Sequence, residues 1–425
     1  MKISTRFSIY IALIIILFVL TGNVTAQWTN HQNAEYVIGQ PDFTTYTSGT
    51  ANNKLYSPQK AAIDYTNNKM YVVDYSNHRV LRFAYPITAN SPTAERVFGT
   101  TGVYGTATRN QFCYPQGVAV YNGTLWVCDP QNQRVVKFNN AHLASSDAPN
   151  ADGVLGQADY TSRSGGTSQS KFNWPGNIFI DANGNLWVVD ESNHRVLKFT
   201  DVNSKSEFSV PADFVLGQTD YTTLTSGVTQ SKFYYPSGVI VSGTTVWISD
   251  QYNHRVLRFD NPTTNGTAAS AVLGQSDYTS NTSGSAANKF NSPYDVTIDA
   301  SGRLYVSDQS NGRIMIFNDA ANKSNGASAD NVLGQPDLST LGTTDGGQNN
   351  FEYYAAYQDR NVYGITIDAV NNKLLVADGG NNRVLQFAAN SPLPVELTSF
   401  TANVSGGNVT LNWQTATEKT ITGLR

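Results

Sequence analysis

Asp250-Gln-Tyr-Asn253-His-Arg255-Val-Leu-Arg-Phe259 is the stretch whose reading decides the fold. Apolar residues end just before the Asp and resume after the Arg, so the segment reads as a short polar loop between two strands. The same order of Asp, two residues, Asn, one residue and Arg recurs down the chain. It appears as Asp74-Tyr-Ser-Asn77-His-Arg79, Asp129-Pro-Gln-Asn132-Gln-Arg134 and Asp190-Glu-Ser-Asn193-His-Arg195. It returns as Asp308-Gln-Ser-Asn311-Gly-Arg313 and Asp378-Gly-Gly-Asn381-Asn-Arg383. The Asp residues are spaced by 55, 61, 60, 58 and 70 positions. A period near 60 filled with short strands predicts propeller blades.

Each repeat holds three strands, which in the fourth copy are 238–241, 245–249 and 255–259. Turn pairs such as Asn122-Gly123 and Asn183-Gly184 join the first two, since they accept the positive φ of tight hairpins. A fourth element, Val-x-Gly-Gln, occurs at 37–40, 154–157, 215–218, 272–275 and 332–335, with Thr100 in place of Gln at 97–100. One copy precedes the first triple of strands and none follows the last. The strand at Tyr36–Gly39 is therefore expected to complete the sixth blade and to remove two open sheet edges. The fold class is all-β: a six-bladed β-propeller of four-stranded antiparallel blades, closed by the N-terminal strand.

The Asn-His-Arg runs at 77–79, 193–195 and 253–255 lie downstream of segments of the type Pro-x-Gly-Val-x-Val. Together they resemble the NHL repeat, over residues 35 to 390. The resemblance implies a six-bladed propeller and leaves the task open. Members include RNA- and protein-binding modules and a lyase acting on amidated-peptide precursors, and related propellers include calcium-dependent lactonases. Gln133, Gly312 and Asn382 stand where the motif has His. Blade 6 carries an insertion near 340–360 and has Val362 in place of the repeat's Pro.

Charged residues are 14% of the chain and the formal net charge is −4, which excludes the clustered basic surface that nucleic acid requires. Lys2 and Arg6, the apolar run 9–20 and Val24-Thr25-Ala26 before Gln27 read as a signal peptide over residues 1–26. The mature chain is expected to be secreted or held at the cell surface, with no later membrane span. The propeller is expected over 27–390. Residues 391–425, with Pro392-Leu-Pro-Val-Glu-Leu and Asn408-Val-Thr-Leu-Asn-Trp413, resemble the start of an immunoglobulin-like module. Such modules precede sorting tails in secreted proteins of the Bacteroidetes type. Two strands fall short of a sandwich, so this segment is expected to be truncated and poorly ordered.

The repeated Asp, Asn and Arg read as structure. Asp can accept backbone N–H groups, Asn tolerates the left-handed region, and Arg can return to the Asp or to carbonyls of the next blade. His78, His194 and His254 sit at equivalent places in blades 1, 3 and 4, related by steps of about 60° and well off the axis, too far apart to share one zinc with bonds of about 2 Å. Cys113 and Cys128 flank one hairpin of blade 2, where a bridge and two free thiols are equally open. No nucleophile motif, His-Glu-x-x-His or phosphate loop is present.

Function is sought where the copies differ. Before the repeat's Pro stand Ser57, Tyr114, Trp174, Tyr235 and Ser292, with Asn361 in register. Two residues after it, Gly117, Gly238 and Gly364 alternate with Lys60, Asn177 and Asp295. The candidate ligand-binding set is Lys60, Tyr114, Trp174, Asn177, Tyr235, Tyr294, Asp295 and Tyr363, at the channel mouth on the loop-rich face. The expected function is non-catalytic binding of an extracellular glycan, peptide or protein by a monomer without a certain cofactor. The alternative is a metal-dependent lyase or hydrolase using calcium or zinc in the channel, with Asp295 and Asn177 as the first ligands.

Overall fold

The computed structural model describes residues 27–101, 107–204, 208–339, 347–351, 362–390, 397–405 and 408–415. The signal-peptide reading, most of the blade 6 insertion and Asn361 lie outside the described residues. So do the ends of the C-terminal segment.

Six four-stranded antiparallel sheets form the unit Trp28–Ala388. The inner strands are Pro58–Asp64, Val118–Tyr121, Pro175–Ile180, Pro236–Ser242, Pro293–Ile298 and Val362–Asp368. They are rich in Val, Ile and Ala, as strands buried on both faces require. Within a blade the chain runs outward. In blade 4 Ile240 faces Trp247, Trp247 faces Arg258, and Arg258 faces Ala271. The apolar core lies between blades. One cluster joins Trp126 and Cys128 of blade 2 to Ile178, Leu186 and Leu197 of blade 3. Another joins Trp187 of blade 3 to Val239 and Ile248 of blade 4. Each blade therefore rests on its two neighbours, the nearest-neighbour logic of repeat folds.

The ring closes with the N-terminal strand. Tyr36–Ile38 pairs antiparallel with the third strand of blade 6, with Val37 opposite Leu385. Ile38 also packs into the cluster of Ile63, Val72 and Leu81 in blade 1. The segment before that strand extends the clasp to blade 5. In four other blades a loop Asn or Asp accepts the Val N–H of the preceding blade's outer strand: Asn90 for Val37, Asp147 for Val97, Asn265 for Val215 and Asn325 for Val272. At the outer strand of blade 5 this place is taken by Asn30, whose Oδ1 accepts Val332 N–H at 3.0 Å. Trp28, buried, donates from Nε1 to Tyr305 Oη at 2.7 Å.

Leu397–Ser405 and Asn408–Thr415 pair as a separate antiparallel two-stranded sheet. Among the described residues, no helix is long and apolar enough to cross a membrane.

Both cysteines are buried free thiols, so the bridge that the sequence allowed is not formed. Cys113 Sγ donates to Gln131 Oε1 at 3.2 Å, while Cys128 packs in the apolar core of blades 2 and 3. The two side chains serve different environments although their backbones are neighbours.

Candidate functional site

Six buried ion pairs anchor the loops of one face. In each blade the motif Arg donates Nε–H to the motif Asp at 2.7 or 2.8 Å, and both side chains are at most 1% exposed. In blade 4, Asp250 Oδ2 also accepts Asn253 Nδ2–H at 2.8 Å, and Oδ1 accepts Tyr234 N–H at 2.7 Å. Arg255 sends its remaining N–H groups to carbonyls of Tyr278, Thr229 and Lys232 at 2.6–2.9 Å. Tyr278 belongs to the loop entering blade 5, so each arginine ties its own loop to the next. The motif Asp and Arg are held by bonds within the protein, which fits a structural role. One detail differs from the sequence reading. The left-handed residue is the one after Asn: His78, Gln133, His194, His254, Gly312 and Asn382 all have φ between 51° and 58°.

That left-handed residue explains the histidines. The residue before each repeat Pro is itself left-handed: Ser57, Tyr114, Trp174, Tyr235 and Ser292 have φ of 49–62°. Such a backbone is costly for bulky residues and needs support. The support is a side-chain acceptor from the preceding blade. His78 Nδ1 accepts Tyr114 N–H at 3.1 Å, His194 Nδ1 accepts Tyr235 N–H at 3.2 Å, and His254 Nδ1 accepts Ser292 N–H at 3.0 Å. Gln133 Oε1 does the same for Trp174 at 2.6 Å and Asn382 Oδ1 for Ser57 at 2.9 Å. His, Gln and Asn are interchangeable here because each presents an acceptor at this reach. The three imidazoles lie at three separate blade boundaries with Nδ1 engaged, so they do not form a zinc site.

A protonated imidazole cannot accept at Nδ1. Burial holds His78, His194 and His254 below the usual histidine range. The unfolded chain therefore takes up protons first, near pH 6.5. Stability is held above that pH and lost as pH falls through the folded values. Replacing all three with Gln is expected to flatten this loss by about 1 kcal/mol per residue. Denaturant unfolding from pH 7 to 5 checks it. Equal pH slopes in wild type and variant would refute the assignment.

The positions where the repeats alternate meet at the axis. Lys60 Nζ lies 3.0 Å from Asp295 Oδ2 and 3.0 Å from Asn177 Oδ1. Asn177 Nδ2 donates to Asp295 Oδ1 and to the Ser237 carbonyl, both at 3.0 Å. Asp295 Oδ2 accepts Ile365 N–H at 3.0 Å. The large residues come from blades 1, 3 and 5, and the glycines from blades 2, 4 and 6. A methyl carbon on Gly117 would stand 2.7 Å from Asn177 Cα, on Gly238 2.8 Å from Asp295 Cα, and on Gly364 2.4 Å from the Gln59 carbonyl. Glycine at these three places is what lets the three polar side chains converge.

This corrects the reading of Lys60, Asn177 and Asp295 as ligand-facing. They are buried at 9%, 2% and 0% exposure and bond to one another. A calcium ion does not fit them, because the Lys60 ammonium already stands against Asp295 as its cation. Above this plug, Tyr294 crosses from blade 5 and donates from its hydroxyl to Gln59 Oε1 of blade 1 at 3.1 Å. The channel mouth on the loop-rich face is thus sealed by two layers. Below the plug a cavity of about 370 Å³ runs between the inner strands, lined mostly by Ile, Val and Ala, toward the hairpin face.

Over the seal the loop-rich face forms an aromatic cup. Tyr75 and Tyr114 have ring centroids 4.8 Å apart, and Tyr294 and Tyr363 5.2 Å apart. Tyr234, Tyr235 and Tyr252 form a triangle of 5.1–5.5 Å, with His194 4.8 Å from Tyr235. Tyr234 and Tyr252 are 40% and 47% exposed. Of the candidate set, Tyr114, Trp174, Tyr235, Tyr294 and Tyr363 therefore lie on this face or in its floor. Sequence reasoning missed Tyr75, Tyr234, Tyr252 and Glu191. Tyr75, Glu191 and Gln251 are equivalents one residue after the repeat Asp, where the copies differ, and that variation was the available signal. Among the described residues, no three His, Cys, Asp or Glu side chains are grouped to hold a metal ion.

Residues 112–138 and 172–199 match the family model of the NHL repeat. They span the inner three strands of blades 2 and 3. Among solved structures, the chain is similar to XC5397 of Xanthomonas campestris, described as a gluconolactonase important in glucose secondary metabolic pathways. The two share 14% identity with a TM-score of 0.45, over 84% of this chain and 98% of that one.

Proposed function

We propose that this six-bladed propeller with NHL repeats is an exported, non-catalytic binding module that takes an extracellular glycan, peptide or protein on its aromatic cup. The observation that carries the reading is the triangle of Tyr234, Tyr235 and Tyr252, the first and last of them exposed, on the face where the long loops gather. Tyrosine offers a rigid apolar ring and a polar tip at low entropic cost, which suits stacking on a sugar or gripping a peptide. The buried repeat bonds hold the loops that present these rings, so little ordering is left for binding to supply. Export is supported by the charged and apolar pattern of residues 1–26. The metal-dependent alternative would require ligands other than Asp295, Asn177 and the three histidines.

The test is a glycan- and peptide-array screen of the mature protein, repeated with Tyr234→Ala/Tyr252→Ala. Both side chains are exposed, so the fold should persist, while affinity should fall at least about tenfold if the pair anchors the ligand. No retained ligand of either class, or unchanged binding by the double variant, would overturn the proposal.

A further inference from the structure

Two side-chain oxygens on this face have no hydrogen-bond partner among the described residues. Glu191 follows the repeat Asp of blade 3, is half-buried, and its carboxyl has no hydrogen bond or ion pair among the described residues. It overhangs Gly176: a methyl carbon there would lie 1.7 Å from Glu191 Oε1 and 3.0 Å from Gln116 Oε1. Gln116 Oε1 is itself buried with no partner among the described residues. Two acceptors thus converge on one small volume, and a buried acceptor left unserved is costly.

The surroundings fix what could serve both. The ionised groups nearby are committed elsewhere. Asp190 is paired with Arg195 at 2.7 Å, and Lys60 is held beneath the seal on Asp295. Cys128 is buried in the core. The phenols of Tyr75 and Tyr294 are pushed up first by burial and then by neighbouring charges that include Glu191. The carboxyl of Glu191 is itself pushed up to about 8, first by burial and then by Asp190.

We infer that the cup binds an organic ammonium group, with Glu191 and Gln116 as its hydrogen-bond acceptors and the rings of Tyr75, Tyr294 and Tyr363 about it. The inference rests on the reading of this face as the ligand-binding surface. An ammonium donates to both oxygens at once, neutralises the carboxylate and is attracted to aromatic faces. A neutral hydroxyl or amide could meet the hydrogen bonds but not the charge. Binding moves a proton as well. The Glu191 carboxylic acid loses its proton to solvent, and the incoming ammonium replaces that charge.

The test uses the mature protein and four probes: a glucosamine oligomer, its N-acetylated counterpart, a lysine-containing peptide and its acetyl-lysine counterpart. Calorimetric titrations between pH 6 and 8, in buffers of different ionisation enthalpy, read affinity and proton release together. At least one free-amine probe should bind about tenfold or more tighter than its acetylated partner, and which one does so distinguishes sugar from peptide. For the lysine-containing peptide, whose amine stays charged throughout this range, affinity should rise by up to about tenfold per pH unit below pH 8, with proton release. Glu191→Gln should abolish both the preference and the proton release. Gly176→Ala, which keeps the carboxyl but displaces it, should do the same. Equal binding of amine and acetylated probes, or a preference that survives Glu191→Gln, would overturn the inference. If neutral ligands from the array bind and are lost in Tyr234→Ala/Tyr252→Ala, the face still stands as a binding surface and only the ammonium assignment falls. If nothing binds in either experiment, both fall.

Discussion

Arg255→Leu is expected to destabilise the protein by about 3–5 kcal/mol, the cost of stripping one partner from a buried ion pair. The arginine is fully buried and makes four bonds: one to Asp250 and three to backbone carbonyls of two loops. Its loss leaves Asp250 charged in the core and three carbonyls short of donors. Arg255→Lys should rescue little, since one ammonium on a flexible stem cannot span acceptors that a planar guanidinium reaches together. The midpoint of denaturant unfolding, with Arg258→Leu as a more exposed control, measures the effect. A shift in Arg255→Leu no larger than in the control would show that the motif is not what holds the loops.

Deleting residues 27–40 should cost more and remove cooperative folding. The segment supplies the outer strand of blade 6, the Asn30 bond to blade 5 and the Trp28 contact with Tyr305. Loss of the Trp28 side chain alone is expected to cost about 3–5 kcal/mol. Deletion also exposes the edge of Arg383–Ala388, a template for pairing with other chains. The shortened protein should aggregate or melt far below the intact one. A synthetic peptide of residues 27–40 should raise the melting temperature in proportion to the logarithm of its concentration, since it binds only the folded ring. An unchanged melting temperature without the segment would mean that the ring closes by other means.

Much of the architecture was legible because repetition is itself a signal. Six Asp-x-x-Asn-x-Arg copies and six Val-x-Gly-Gln copies, offset by one, were enough to place the N-terminal strand in the last blade. The further reach of the clasp was not legible, since Asn30 and Trp28 belong to no copy. The axis was located and misassigned. Variation marked Lys60, Asn177 and Asp295, but a sequence does not show that three residues drawn from alternate blades will reach one another rather than a ligand. The histidines show the converse. His, Gln and Asn at this position supply one hydrogen-bond acceptor in three residue types, an equivalence that only the geometry brings out. Glu191 was not legible because its residue type says nothing of its closeness to Gln116 of the neighbouring blade.

The alternation of large residues and glycines around the axis gives the ring a parity. By its hydrogen bonds the repeating unit is one blade; by its plug it is two. Adding or removing a single blade would set two glycines side by side and open a void, or set two large residues together where methyl carbons already fall within 2.4–2.8 Å of their neighbours. A lineage that grew or shrank by copying blades could keep this seal only by doing so in pairs. The even count is therefore a condition for having a floor beneath the cup at all.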